Sequence, residues 1–182
     1  VTFTESGVKH FRHYSRFSMG NDIADYNNDG QLDIITVDML PPDEKTLKTY
    51  GSDENPDIYK VKLELRGYPN QYSKNCLQTN NGNGVSFSET ALQSGVSATD
   101  WSWAPLFADF DNDGDIDIVS IAFYPDYEKL PEESFIYWEN AGNNTYKRYT
   151  FSGFAEGRWL TMDAGDMDGD GDKDIILGNA FI

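Results

Sequence analysis

Cysteine is nearly absent from this chain: Cys76 stands alone, so no internal disulfide is possible and the fold must be held by other means. As a free cysteine it reads as a small apolar core residue. Positive charge is also scarce. Fourteen Lys and Arg face 31 Asp and Glu, a formal charge of -17, and that balance excludes the phosphate neutralisation on which nucleic-acid binding depends. No apolar run approaches the ~18 residues of a membrane helix, so no membrane insertion is expected in this segment. The opening residues, Val1-Thr2-Phe3-Thr4, lack the basic and apolar regions of a signal peptide, as a mature or trimmed chain would. Catalytic signatures are missing as well: there is no nucleophile elbow, phosphate-binding loop or dinucleotide fingerprint, and no nucleophile is paired with a base. His10 and His13 form an isolated H-x-x-H without the helical, Cys or acidic context of a zinc site, which points to a structural or solvent-exposed role.

What the chain has in abundance is aromatic and turn-forming residues. Eleven Phe, eleven Tyr, four Trp, sixteen Gly and seven Pro in 182 residues suit short strands joined by turns, so an all-β fold is expected. The acids are not scattered. Three segments align without gaps on the pattern D-x-[DN]-x-D-G-x-x-D, beginning at Asp25, Asp109 and Asp166. Each is followed by a β-rich run: Ile34 to Val37, Ile118 to Ile121, and Ile175 to Leu177. The repeat extends further, because Phe3 and Phe87 each lie 22 residues before the first Asp of a loop. Asn80-Asn-Gly82-Asn-Gly84 and Asn140-Ala-Gly142-Asn143 read as hairpin turns, since Asn and Gly tolerate positive φ.

Alternate residues of a tightly curled loop can point oxygens at one hard cation, and Ca²⁺ takes six to eight such ligands. Positions 1, 3, 5 and 9 would supply side chains and position 7 a backbone carbonyl. The candidate ligands are therefore Asp25, Asn27, Asp29, Gln31 and Asp33 in loop one; Asp109, Asp111, Asp113, Asp115 and Asp117 in loop two; and Asp166, Asp168, Asp170, Asp172 and Asp174 in loop three. Gly30, Gly114 and Gly171 stand at position 6, where the chain turns sharply. Loop one has three ligand carboxylates where the others have four, so it is expected to bind most weakly. The competing account, that Asp, Asn and Gly merely make turns, leaves several uncompensated carboxylates crowded together in each loop. An EF-hand is disfavoured, because strands flank the loops and position 12 is Thr36, Ser120 or Leu177 where that motif needs Glu.

These loops resemble those of FG-GAP or VCBS repeats, the calcium-binding blades of integrin α-subunit propellers and of many bacterial surface and secreted proteins. The stretch from Asn80 through Gly95-Val96, Asp100-Trp101-Ser102-Trp103-Ala104-Pro105 and Phe107-Ala108-Asp109-Phe110-Asp111 is especially similar to bacterial VCBS proteins that often carry an ASPIC/UnbV domain. Tyr124 to Tyr127, Pro131 to Phe135 and Gly157 to Leu160 share that character. The resemblance implies a partial β-propeller of about three blades, each of four antiparallel strands, belonging to a longer protein. Residues 1–15 would end one blade, 16–100 and 101–157 would form two, and 158–182 would start another. Loop starts 84 and 57 residues apart place the excess at about 41–70, an insertion with a short helix around Asp57 to Leu65. Trp101, Trp103 and Trp159 are expected to pack between blades.

Function follows as an expectation: a non-enzymatic, extracytoplasmic module, secreted or on the cell surface, outer-membrane attachment in a bacterium included. It would hold three Ca²⁺ and bind a protein or glycan partner. The alternative is the propeller or accessory domain of a secreted carbohydrate-active enzyme such as a polysaccharide lyase, and a structural spacer is a third reading. The insertion offers Tyr50, Tyr59 and Tyr68 beside Lys45, Lys48, Lys60, Lys62 and Arg66, a basic and aromatic surface that either engages a partner or packs on its own blade.

Overall fold

The computed structural model describes residues 2–50, 55–122, 131–155 and 157–180. The Tyr50 side chain, residues 51–54 of the insertion, Tyr124 to Tyr127 and Ile182 lie outside the described residues.

The chain is mostly β. Along it run α1 (Gly7–His10), β1 (Tyr14–Ser15), β2 (Gly20–Ala24), β3 (Asp33–Val37), β4 (Met39–Leu40), α2 (Glu44–Tyr50), α3 (Pro56–Arg66), β5 (Gln71–Tyr72), β6 (Cys76–Asn80) and β7 (Phe87–Glu89). Then come α4 (Ala91–Ser94), β8 (Asp100–Ala108), β9 (Asp117–Ala122), β10 (Phe135–Asn140), β11 (Tyr146–Thr150), β12 (Trp159–Gly165) and β13 (Asp174–Asn179). Among the described residues β2, β3, β6 and β7 form one antiparallel sheet in that order. A second sheet runs β11-β10-β9-β8, with β4 added beyond β8, and a third is the hairpin β12-β13. The small parallel pair β1-β5 ties residues 14–15 to the far end of the insertion. Pro105 sits in β8 where no strand pairs on its outer side, so its missing N–H breaks no ladder.

The hairpin turns form where Asn and Gly are spaced for them. Gly82, Gly84 and Gly142 have φ of 66°, 68° and 78°, and the Asn80 and Asn140 side chains each accept the amide two residues on, at 3.0 Å in both turns. Helix α3 covers the expected span within a residue at each end: Asn55 caps it by accepting the Asp57 amide at 2.9 Å, Pro56 begins it, and Gly67 at φ 68° ends it. A second helix, α2, also forms in the insertion, with the Asp43 side chain accepting the Thr46 amide at 2.9 Å.

The sheets stack face to face, and the packing repeats with the sequence. One core cluster, built on Tyr26, Ile35, Leu77, Ile118, Ile136 and Trp138, lies between the first and second sheets. Another, around Val119, Ile121 and Phe135 with Leu106, Phe110, Trp159, Met162, Ile175 and Leu177, lies between the second and third. Because side chains alternate along a strand, the second sheet divides its residues between both clusters: Ile118 and Ile136 face one way, Val119 and Phe135 the other. The residue after each loop's final Asp, Ile118 or Ile175, thus meets the preceding sheet, and the next one, Ile35 or Val119, meets the following sheet. Position 2 of the loop also plugs forward. Tyr26 is fully buried against Phe107, and Phe110 meets Tyr137 edge-on.

Trp159 packs between sheets as expected, and Gly157 is fixed by it, since a Cβ there would run into the indole ring. Trp101 and Trp103 do not share that environment: they alternate with buried Asp100 and Ser102 on β8 and are 45% and 38% exposed.

Candidate metal centre

The three acidic loops connect β2 to β3, β8 to β9 and β12 to β13, and they share one hydrogen-bond framework. The position-1 carboxylate accepts the amide of the position-6 glycine: Asp25 from Gly30 at 2.8 Å, Asp109 from Gly114 at 3.1 Å, Asp166 from Gly171 at 3.1 Å. Position 3 accepts the amide of position 5 through Asn27 at 3.1 Å and through Asp111 and Asp168 at 3.2 Å. Position 5 accepts the amide of position 7 at 2.8 Å from Asp29 and 2.9 Å from Asp113 and Asp170. Each glycine reaches this turn at positive φ, 83°, 93° and 101°, a conformation a Cβ would strain.

Position 9 joins the loop to the sheet. Asp33 is fully buried and its Oδ1 accepts the Asn80 amide at 2.7 Å. Asp117, 1% exposed, accepts the Asn140 amide at 2.8 Å, the Phe110 amide at 3.1 Å and the Tyr137 hydroxyl at 3.0 Å. Asp174 accepts the Met167 amide at 2.9 Å. Burial pushes the Asp33 carboxyl up from 3.8 to about 6, and raises Asp117 in the same way, because a desolvated carboxylate is costly without a cation beside it.

The structure brings Asp109, Asp111 and Asp117 together, with one oxygen of each within 4.8 Å of the others, and likewise Asp166, Asp168 and Asp174. Asp113 and Asp170 stand outside those groups, and loop one, with Asn27 at position 3, has only Asp25 and Asp33 as acids at the corresponding positions; the side chains of Asp115 and Asp172 accept instead from Asn28 and Asn112. In loop one the Asn27 amide donates to Asp29 Oδ2 at 3.2 Å, taking an oxygen that an acid at position 3 would leave open. Among the described loop carboxylates, Oδ2 of Asp33 and Oδ1 of Asp109 are buried without a hydrogen-bond partner, as are the hydroxyls of Ser94 and Ser120 elsewhere in the fold. An unpartnered carboxylate oxygen in a buried setting, beside other carboxylates, is the donor a hard cation needs. The carboxylates gathered at positions 1, 3 and 9 of loops two and three are of the chemistry a hard cation such as Ca²⁺ takes.

One cluster was not legible from sequence. His13 meets Cys76 of β6 and Glu89 of β7, with His13 Nε2 at 3.3 Å from Glu89 Oε2. Lys74 pairs with that same oxygen, and burial holds the Cys76 thiol protonated, up at about 12. The cluster thus already contains its own cation. His10 hydrogen-bonds the Val85 carbonyl at 2.6 Å, and His13 meets Tyr72 edge-on. Cys76 is buried, as its apolar character implies.

In the insertion, Tyr59 packs near Tyr72, with ring centroids 6.1 Å apart, while Tyr68 is half exposed. Lys48 pairs with Glu44 at 2.6 Å and Lys60 with Glu64 at 4.0 Å, so part of the local positive charge is offset within the helices. Ile58, Val61 and Leu65 leave an apolar stripe of α3 exposed.

Stacked antiparallel sheets, each with an acidic turn between two of its strands, define a repeat-built β protein. Residues 52–120, which include loop two, match the family model described as an FG-GAP-like repeat. No curated protein matches the chain significantly. No helix among the described residues is long and apolar enough to cross a membrane.

Proposed function

We propose that this chain is part of a calcium-stabilised FG-GAP-repeat β-propeller that serves outside the cytoplasm as a non-enzymatic binding module for a protein or glycan. The observation that supports the reading is the gathering of Asp109, Asp111 and Asp117, and of Asp166, Asp168 and Asp174, with Asp33 Oδ2 and Asp109 Oδ1 buried and without a hydrogen-bond partner. Asp25, Asn27, Asp29 and Asp33 with the Gln31 carbonyl would hold one ion. Asp109, Asp111, Asp113 and Asp117 with the Asp115 carbonyl would hold a second, and Asp166, Asp168, Asp170 and Asp174 with the Asp172 carbonyl a third. Bound calcium would supply the positive charge that fixes each hairpin at the sheet end. Affinities of about 10⁻⁴ to 10⁻³ M suit extracellular calcium.

Blade-to-blade stacking is supported by the open faces at either end of the stack. Leu32 and Ile23 are 61% and 52% exposed on the first sheet, and Met167 and Ile176 are 64% and 50% exposed on the third. These are the positions at which the inner repeats bury their apolar residues, so each face fits a neighbouring blade. Partner binding falls to the insertion, where the exposed stripe of Ile58, Val61 and Leu65 accompanies Tyr68, Lys62 and Arg66. Calorimetric titration with Ca²⁺ should give three sites per chain; heat indistinguishable from dilution would end the calcium reading. Replacing residues 43–66 by a Gly-Ser linker should abolish capture of a partner while leaving calcium binding intact, and retained capture would move the interface to another face.

A further inference from the structure

Position 4 of the loops carries a side chain that leaves its own loop. Asn28 and Asn112 both hold left-handed backbone, with φ of 57° and 59°, which turns their amides toward the following loop. Asn28 Nδ2 donates across 86 and 87 residues of sequence to the Gly114 carbonyl at 3.3 Å and to Asp115 Oδ1 at 3.2 Å. Asn112 Nδ2 donates to Asp172 Oδ1, 60 residues away, at 2.7 Å. Loop one thus grips loop two, and loop two grips loop three, by the same atom at the same position. The residue gripped is also the same each time: position 7, whose carbonyl is the candidate metal ligand. Loop three has Gly169 at position 4, with φ 82°, so the backbone there accepts glycine without strain.

We propose that Asn28 and Asn112 are coupling residues that link the three loops in series, so that an ion bound in one loop strengthens binding in its neighbour. The inference rests on the calcium reading of the loops. For position 7 to present its carbonyl, the loop must be held in one conformation, and the incoming amide holds it before the ion arrives. Ordering one loop therefore removes part of the ordering cost of the next. The effect is reciprocal, because coupling between two binding sites has one free energy whichever is filled first.

The test uses the full chain and follows the amide resonances of Gly30, Gly114 and Gly171 through a Ca²⁺ titration, so that each loop reports its own affinity. Loop two is disabled by Asp109→Ala, or by Asp113→Ala, which leaves buried Asp117 and its hydrogen bonds to the sheet in place. With Asn28 present, disabling loop two should weaken loop one by about fivefold, the lower end of site-to-site coupling. In the Asn28→Gly background the same change should leave loop one unaltered, and Asn112→Gly should likewise uncouple loop three from loop two. Loop-one affinity that ignores loop two with Asn28 in place would overturn the coupling and leave the calcium reading standing, as would an equal loss with and without Asn28. Resonances that do not respond to Ca²⁺ in any loop would overturn both.

Discussion

Stripping calcium should lower the melting temperature of this chain by an amount that follows from the loops themselves. They concentrate three, five and five Asp side chains, with Lys173 the one Lys or Arg within them. A ligand that binds only the native state stabilises it by RT ln(1 + [L]/Kd). With Kd of about 10⁻⁴ to 10⁻³ M at about 10 mM Ca²⁺, each site contributes ~1.4 to 2.7 kcal/mol, and three sites ~4 to 8 kcal/mol. For a chain of this length 1 kcal/mol moves the midpoint by about 2 to 4 °C, so the shift should lie between ~8 and 30 °C. The assay is thermal unfolding followed by circular dichroism on protein whose metal content has been measured before and after chelation. Magnesium at the same concentration is the control for ionic strength, since its rigid octahedral shell suits such loops poorly. Metal-depleted protein that melts within about 2 °C of the calcium-loaded form would refute the reasoning, because buried Asp33 and Asp117 would then be satisfied without an ion.

The calcium-dependent shift should widen with pH. In metal-free protein the folded state retains a proton on Asp33 up to about pH 6 that the unfolded chain releases near 3.8, so stability falls as pH rises through that window, while calcium requires the ionised carboxylate. Melting midpoints of stripped and loaded protein between pH 4 and 7 test this, and Asp33→Asn should flatten its part of the difference. Gly157→Ala should destabilise by about 1 to 3 kcal/mol, since the Trp159 ring must move out of the core, and an unchanged denaturation midpoint would show that the ring has room. Asn27→Asp should tighten loop one toward the other two when its Gly30 amide is followed by Ca²⁺ titration. In stripped protein the same change should destabilise, because the hydrogen bond from Asn27 to Asp29 Oδ2 becomes a like-charge contact.

Local patterns were legible in the sequence wherever a few adjacent residues dictate the backbone. The loop glycines, the two Asn-Gly hairpins and α3 with its Asn55-Pro56 start and Gly67 stop all follow from φ preferences and capping, which act over one to four residues. Of the four side-chain positions chosen from the repeat, 1, 3 and 9 are gathered in loops two and three, while position 5, Asp113 and Asp170, stands apart. Loop one carries the amide of Asn27 at position 3, so only two of those three positions hold an acid there, as the sequence already shows. Less was legible where partners are remote. Asp38 is fully buried and holds Ser15 and the Phe17 amide, while Asn75 joins its backbone to Val96 and Thr99; nothing near Asp38 in sequence separates it from a surface acid. Trp101 and Trp103 were expected to pack between blades on aromatic character alone, but strand alternation puts Ser102 on the buried face and both indoles on the other.

The reach of Asn28 and Asn112 shows why repeat alignment undervalues such residues. At position 4 the pattern allows any residue, and within a single loop an Asn with positive φ needs no explanation beyond the turn. Only when neighbouring loops stand side by side does its side chain gain a partner, and the partner is a residue that the alignment places at position 7. The same displacement governs the apolar positions: Tyr26 and Ile35 of the first repeat are buried by the second, and Phe110 and Val119 of the second by the third. Met167 and Ile176, their counterparts in the third, are exposed. Each repeat is therefore completed by the one that follows it, in its core through packing and at its acidic edge through an amide. A change at one loop should then be felt in the next sheet as well as the next loop, because Asn140, whose amide is held by Asp117, also donates through its side chain to the Tyr26 carbonyl at 3.4 Å.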